Sequence, residues 1–274
     1  MTPAQHAAPL AAVDREWRRF SPRERFARWL VYLVAVAAIV WSVRTIDVIP
    51  EFLADAPTQI VDLFQRMWPV DVAHYRRGIH DVLIETLHIA TLGTILALGL
   101  AVPVGLLAAR NITRSRVANQ FAQLILVSSR SVNSLVWALV FVAVFGPGAL
   151  AGALAIAFRS IGFVGKLLAE ALEETQRGPI EALEAAGAPW GSIMLKGYWP
   201  QVQPAFIGIA LFRWDINVRE SAVLGLVGAG GIGVALDDAM NFFQWDRVAM
   251  VLLTILVVVV IAEILVTWIR RRII

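Results

Sequence analysis

Formal charge is missing from long stretches of this 274-residue chain, and that absence limits its folds more than any other feature. Between Glu85 and Arg110 lie 24 residues without a charge, and between Arg130 and Arg159 lie 28. Roughly 20 mostly apolar residues in a helix cross the hydrocarbon core of a bilayer. The composition agrees: 58% of residues are hydrophobic and 16% are charged, against about 25% charged in soluble domains. The chain reads as an all-α integral membrane protein, which excludes disorder over most of its length and an ordinary water-soluble enzyme.

The gaps between charges place six spans, at about 29–49, 86–109, 119–145, 149–169, 203–224 and 247–269. The third and fourth meet at Gly146-Pro147-Gly148, a tight turn between two helices. The fifth is the least apolar, because it contains Arg213, Asp215, Arg219 and Glu220. Residues 1–28 form a basic amphipathic head. It is too long and charged for a cleavable signal, and no small-residue cleavage site follows the apolar stretch after it. Lys and Arg concentrate in short loops on the cytoplasmic side. That rule places Arg110, Arg114 and Arg116, the 170–200 loop with Arg177 and Lys196, and Arg270-Arg271-Arg272 inside. Both termini are then cytoplasmic and residues 50–80 periplasmic, ahead of a core domain at 81–274.

Several chemistries are excluded. With no cysteine there is no disulfide, thiolate zinc site, iron–sulfur cluster or Cys nucleophile. His6, His74, His80 and His88 are scattered, so no metal site is expected. No GxSxG or HExxH supports an intramembrane enzyme, and no catalytic residue is assigned. The pI of about 9.8 reflects the basic loops rather than a nucleic-acid patch with interleaved aromatics. Gly228-x-Gly230-x-x-Gly233 spells a dinucleotide fingerprint, with Asp246 about where the acidic residue would stand. It lies between two spans with no strands to form a sheet, so Gly225, Gly228, Gly230, Gly231 and Gly233 read instead as a close helix contact or a bent re-entrant segment. No repeat of 20–50 residues is visible, which weakens a secondary carrier or channel built from inverted halves.

The cytoplasmic loop carries the most specific pattern. Glu181 to Ala186 favours a helix, Gly187 is placed to end it, and Pro189 stops it continuing. A second short helix is expected to stop before Pro200. Two small helices outside the membrane suit either a plain amphipathic connector or an Ala-rich surface that fills a groove on a cytoplasmic partner. Glu181-Ala182-Leu183, three residues, Gly187 and the later Pro200 resemble the EAA loop of ABC-importer permeases, with Leu183, Gly197 and Trp199 as departures. Phe212 to Arg219, Val223 to Gly233 and Gln244 to Ala249 resemble the phosphonate/phosphite branch of that family.

Ionisable residues at membrane depth are expensive and usually face an interior or cavity. Glu85, Lys166 and Glu263 lie near span ends and read as orienting pairs. Arg130-Ser131-Val132-Asn133 and Arg159-Ser160 differ, because each sets a cation beside neutral hydrogen-bonding groups. Guanidinium forks match tetrahedral oxyanions, while Ser and Asn bind without trapping. Arg130, Ser131, Asn133, Arg159, Arg213, Asn217 and Arg219 are therefore the candidates for an anion route or gate, with structural pairing, such as Arg213 with Asp215 or Glu220, as the alternative.

The resemblance implies a type I ABC importer permease in a bacterial inner membrane, moving a phosphorus oxyanion or another small solute such as methionine. It implies a homodimer, two cytoplasmic ATPase subunits that bind ATP and Mg, and a periplasmic binding protein. This chain would bind no cofactor and has no GxxxxGK[ST] loop of its own. Glu181, Ala182, Gly187 and Pro200 would carry the coupling contact, and the segment Gly225–Gly233 would shape the outer mouth.

Overall fold

The computed structural model describes residues 21–46 and 49–273, and among them there are helices and turns but no strand. The expected head at 1–28 falls largely outside the described residues. The chain divides near residue 60 into two compact units. In the first, α1 (Pro22–Thr45) starts earlier than the expected 29. Ser21 is the reason: its Oγ accepts the Glu24 N–H, while its own N–H donates to Glu24 Oε2 at 2.9 Å, a reciprocal cap. A second helix, α2 (Pro50–Arg66), runs across the boundary and ends on an Asp62–Arg66 ion pair of 2.8 Å.

In the second unit, α3 (Val72–His74) passes through a π turn at Tyr75–Ile79 into α4 (His80–Ala108), so one helical path runs from 72 to 108. After a short loop come α5 (Arg116–Ser131), α6 (Ser134–Phe145) and α7 (Ala149–Glu173). Then follow α8 (Arg177–Ala185), α9 (Trp190–Ile193), α10 (Trp199–Leu224), α11 (Ile232–Asn241) and α12 (Trp245–Ile273). Among the described residues, four helices are long and apolar enough to span alone, and two bent pairs bring the count to six.

One expected span is broken. Residues 119–145 do not form a single helix, because α5 and α6 meet at 92°. Val132 and Asn133 are extended, and the Asn133 Oδ1 accepts the Leu135 N–H at 3.1 Å, starting a new helix. The Gly146–Gly148 turn stands where expected, between α6 and α7.

Small residues set the core. Ala90, Gly93, Ala97, Ala101, Gly105 and Ala108 recur every three or four positions on α4 and are buried. The two glycines meet α7 at backbone contact: a methyl on Gly93 would lie 2.9 Å from the Ala153 carbonyl oxygen, and one on Gly105 would lie 3.0 Å from that of Gly165, while Ala90 packs against Val218 and Ala262. In lipid the hydrophobic effect does not drive helices together, so association rests on such close packing. Threonines on the same helix add polar ties: Thr91 Oγ1 accepts Trp214 Nε1–H at 3.0 Å, and Thr86 Oγ1 accepts the Ile232 N–H at 2.7 Å.

The two ends of this unit differ in charge. At one, Asp71 accepts the Arg247 ion pair at 3.9 Å, and Gly148 N–H donates to the Gly228 carbonyl at 2.9 Å. At the other, Arg110 N–H donates to Glu173 Oε1 at 2.8 Å, Gln176 N–H to Gln201 Oε1 at 2.9 Å, and Arg270 reaches the Gly208 carbonyl. The second end also gathers Arg114, Arg116, Arg177 and Lys196.

A candidate anion cleft and a cytoplasmic elbow

Arg130 lies 14 residues from the start of α5, Arg159 lies 14 from the end of α7, and Arg213 lies 14 from the start of α10. All three helices begin or finish at the basic end, so at 1.5 Å per residue each arginine stands about 21 Å above it. The structure brings all three to one cleft of about 390 Å³, lined also by Val127, Ser131 and Phe163. Ser131 Oγ donates to the Ser128 carbonyl at 2.9 Å and leaves its lone pairs to the cleft.

Arg213 is the most firmly held. Its side chain is 4% exposed, its Nε–H donates to Ser160 Oγ at 2.8 Å, and its guanidinium lies 5.6 Å from the Phe163 ring centre. Glu220 then joins the two helices: one carboxylate oxygen pairs with Arg159 and the other with Arg213 Nη2 at 3.4 Å. Arg130, at the surface of the cleft, has no hydrogen-bond or ion-pair partner among the described residues.

The other candidates stand elsewhere. Asn217 is fully buried behind the cleft, where it accepts from Ser160 Oγ at 3.2 Å and donates to Thr94 Oγ1 at 2.8 Å. Arg213, Asn217 and Glu220 follow the i, i+4, i+7 spacing of a single helix face, a signal that would have grouped them from sequence. Arg219 pairs with Asp215 one turn back, outside the cleft. The expected Arg213–Asp215 pair therefore does not form, while Arg213–Glu220 does. Asn133 is exposed and caps α6 rather than lining the cleft. Sequence reasoning missed Ser160 and Phe163 as supports for Arg213, and Thr94 as the anchor of Asn217.

The glycine-rich stretch is a turn of 3-10 helix (Gly225–Val227), a loop, and then α11, bent by 42° from the path of α10. Gly231 needs its residue type: φ is +76°, and a methyl would lie 2.7 Å from Thr86 Oγ1, the acceptor of the next N–H. Gly230 abuts Glu85 and the start of α7, and Gly233 abuts Gly225.

At the basic end, α8 stops at Gly187 with φ +71°. Ala188 N–H donates to the Leu183 carbonyl at 3.0 Å and Gly187 N–H to Glu184 at 3.0 Å, a helix end of the Schellman type. Ala182, Ala185 and Ala186 are exposed, as is Glu181. The second short helix does not stop before Pro200: α9 continues through a π turn at Met194–Tyr198 into α10. The wider turn bonds Trp199 N–H to the Met194 carbonyl and accommodates Pro200, which has no N–H to donate. Pro200 thus opens a membrane helix instead of closing a loop.

Residues 101–274 match the family described as binding-protein-dependent transport system inner membrane component. The chain belongs to that family. It is 41% identical over 234 residues to the phosphate-import permease protein PhnE of Mycolicibacterium smegmatis, covering 85% of this chain and 44% of that protein. With the putative phosphite transport system permease protein HtxC of Stutzerimonas stutzeri it shares 36% identity over 254 residues, 91% of this chain and 86% of the relative. A chain of the inward-facing MetNI methionine ABC transporter superposes with a TM-score of 0.62 at 23% identity, over 72% of this chain and 96% of that one. The fold is thus that of type I ABC importer permeases, and the protein is a multi-pass inner-membrane component of such a transport system.

Proposed function

We propose that this chain is the membrane-spanning subunit of an ATP-driven importer that carries a phosphorus oxyanion into the cytoplasm. The observation that carries the reading is the convergence of Arg130, Arg159 and Arg213 on one cleft at a common depth, beside Ser131. Guanidinium groups in a low-dielectric site favour tetrahedral oxyanions over zwitterions. The phosphate- and phosphite-named relatives at 36–41% identity support the same class.

In this reading the basic end is cytoplasmic by the positive-inside rule, with both termini inside. Two copies of the chain enclose the route, two ATPase subunits bind ATP and Mg, and a periplasmic binding protein delivers the solute. Closure of the ATPase dimer would push on the exposed alanines of α8, held at a fixed angle by Gly187, and Pro200 would transmit the push directly into α10. Arg159 and Arg213 would attract the ion, and the Gly225–Gly233 stretch would shape the outer mouth. Asn133, Asn217 and Arg219 would hold the geometry around that route.

A methionine permease is the second reading, favoured by the fold likeness to MetNI. One experiment separates them: ATP hydrolysis by the assembled complex in liposomes, with binding protein loaded with phosphite, an alkylphosphonate or methionine. Stimulation by the phosphorus oxyanions alone is expected. Stimulation by methionine alone would overturn the substrate, and failure of any ATPase to co-purify would overturn the importer.

A further inference from the structure

Glu220 has no obvious place in an anion route, since a buried carboxylate repels the ion that the arginines attract. Its geometry suggests a use. Its two oxygens are divided between Arg159 and Arg213, the arrangement that one O–P–O edge of a tetrahedral oxyanion would adopt on the same two guanidinium groups. We propose that Glu220 is a built-in counter-ion that an incoming oxyanion displaces, and that the cleft thereby selects for two negative charges. This rests on the importer reading above.

Three features of the site support the exchange. Arg213 does not depend on Glu220 for its position, because Ser160 holds Nε and Phe163 covers the guanidinium face. It therefore remains in place when the carboxylate lets go. Glu220 is 16% exposed, on the same helix and two turns along from Arg213, so it can withdraw by rotation of its own side chain. Arg130 stands across the cleft with no anionic partner among the described residues, ready to take the ion's remaining oxygens.

Charge counting gives the selectivity. Three guanidinium groups and one carboxylate leave two uncompensated positive charges around about 390 Å³. The nearby ionisable groups are already neutralised: Asp215 takes Arg219, and Glu170 takes Lys166 at 3.2 Å. A doubly charged phosphonate or phosphite balances the site, a singly charged ester leaves it half compensated, and a zwitterionic amino acid brings no net charge. Charge mismatch is costly at membrane depth. The tethered carboxylate also competes for the same guanidinium groups, so the ion is not trapped, as any conduction site requires.

The test uses the permease–ATPase complex in nanodiscs without binding protein, so that delivery cannot impose its own preference. Radiolabelled methylphosphonate is the probe, with its monomethyl ester as competitor, at about pH 9, because an alkylphosphonate loses its second proton at higher pH than a phosphate ester does. The ester has a single ionisable oxygen and carries one charge. The wild-type complex should bind the label and prefer it to the ester by about 10-fold or more, the effect of 1.4 kcal/mol. Arg130→Gln should reduce that preference to below about threefold. Glu220→Gln keeps a neutral acceptor for one arginine, and should bind the label about 10-fold more tightly while slowing uptake in the complete system. Equal competition by ester and phosphonate, an unchanged preference in Arg130→Gln, weaker binding in Glu220→Gln, or no binding by wild type would each overturn the assignment. Stimulation of ATP hydrolysis by phosphonate-loaded binding protein, measured on the same preparations, separates the two levels. If it persists while the label behaves in any of those ways, the importer stands and the counter-ion falls. If no phosphorus oxyanion stimulates hydrolysis, both fall.

Discussion

Of two glycines on one face of α7, one should be rescued by a second-site change that leaves the other unaffected. A methyl on Gly162 would press on the Leu126 carbonyl oxygen and lie 2.9 Å from the Arg130 nitrogen and 3.0 Å from Ser129 Oγ. All are backbone or fixed polar atoms. The Gly162 N–H also donates to Ser129 Oγ at 3.0 Å, and that hydroxyl in turn donates to the Phe158 carbonyl. Gly162→Ala should therefore cost about 1–3 kcal/mol in overpacking and about 0.5–1.5 more as the hydrogen bond is stretched, roughly 2–4 kcal/mol together. One turn on, a methyl on Gly165 meets the tip of a side chain, Leu126 Cδ2 at 2.5 Å, while the nearest backbone atom is 3.4 Å away. Gly165→Ala should cost about 1–3 kcal/mol, and most of this should vanish when Leu126 is already Ala. Leu126→Ala alone should cost about 2–5 kcal/mol, since the side chain is fully buried. The measurement is a pair of double-mutant cycles by reversible SDS unfolding in mixed micelles. The 165/126 cycle should show coupling of about 1–2 kcal/mol and the 162/126 cycle should be additive within about 0.5. Equal coupling in the two cycles, or a Gly162→Ala protein as stable as wild type, would refute the assignment of which atoms are in contact.

Three further outcomes can be checked more simply. Gly187→Leu places a side chain at φ +71°, costing about 1–2 kcal/mol at the end of α8. Uptake should fall while the amount of inserted protein stays constant, and normal uptake would remove the coupling role. Asn217→Leu takes the acceptor from the Ser160 hydroxyl and a donor from Thr94 in a fully buried place, although Thr94 keeps its bond to the Ala90 carbonyl and Ser160 still accepts from Arg213. At about 1–3 kcal/mol per unsatisfied group, the purified complex should inactivate several degrees lower, and an unchanged inactivation temperature would contradict the network. Arg219→Ala strands Asp215, whose side chain is 8% exposed and whose Oδ1 already lacks a hydrogen-bond partner. Screening at the half-exposed Arg219 limits the loss to about 1–3 kcal/mol, and Asp215→Asn in the same chain should recover most of it on thermal inactivation.

What sequence reveals here depends on whether a property is local. The turn at Gly146–Gly148 and the end of α8 at Gly187 were legible, because each follows from the conformational limits of one or two residues. The start of α1 was misplaced by seven residues, since Arg23, Glu24, Arg25 and Arg28 all ride on the first turns and close the charge gap; its mark in the sequence is the capping box Ser21-x-x-Glu24. The break between α5 and α6 was hidden from a reading of charge gaps, because Ser131-Val132-Asn133-Ser134 is polar but uncharged; a single capping asparagine redirects the chain. At Pro200 the expected stop failed for a geometric reason, the π turn that moves the preceding carbonyls out of the ring's way. The arginine cleft was half visible. Arg130, Arg159 and Arg213 stood out as cations in apolar helices, but their common depth required the helix ends. Glu220 as a bridge required the crossing of α7 and α10, which no spacing within one helix contains.

The glycine and alanine seam between α4 and α7 has a consequence for leakage. An inner membrane stores energy as an ion gradient, so any transporter that admits a continuous thread of water between its helices would short-circuit the cell. A single water needs about 10–15 Å³ and two or more polar partners. Along this seam a methyl group would already press on the opposite backbone at Gly93 and at Gly105, and the facing carbonyls are committed within their own helices. Protons and hydrated ions therefore have no way through it. The seam works as a bulkhead, and whatever opens and closes to pass a solute must do so on the other side of α7, where the arginines are.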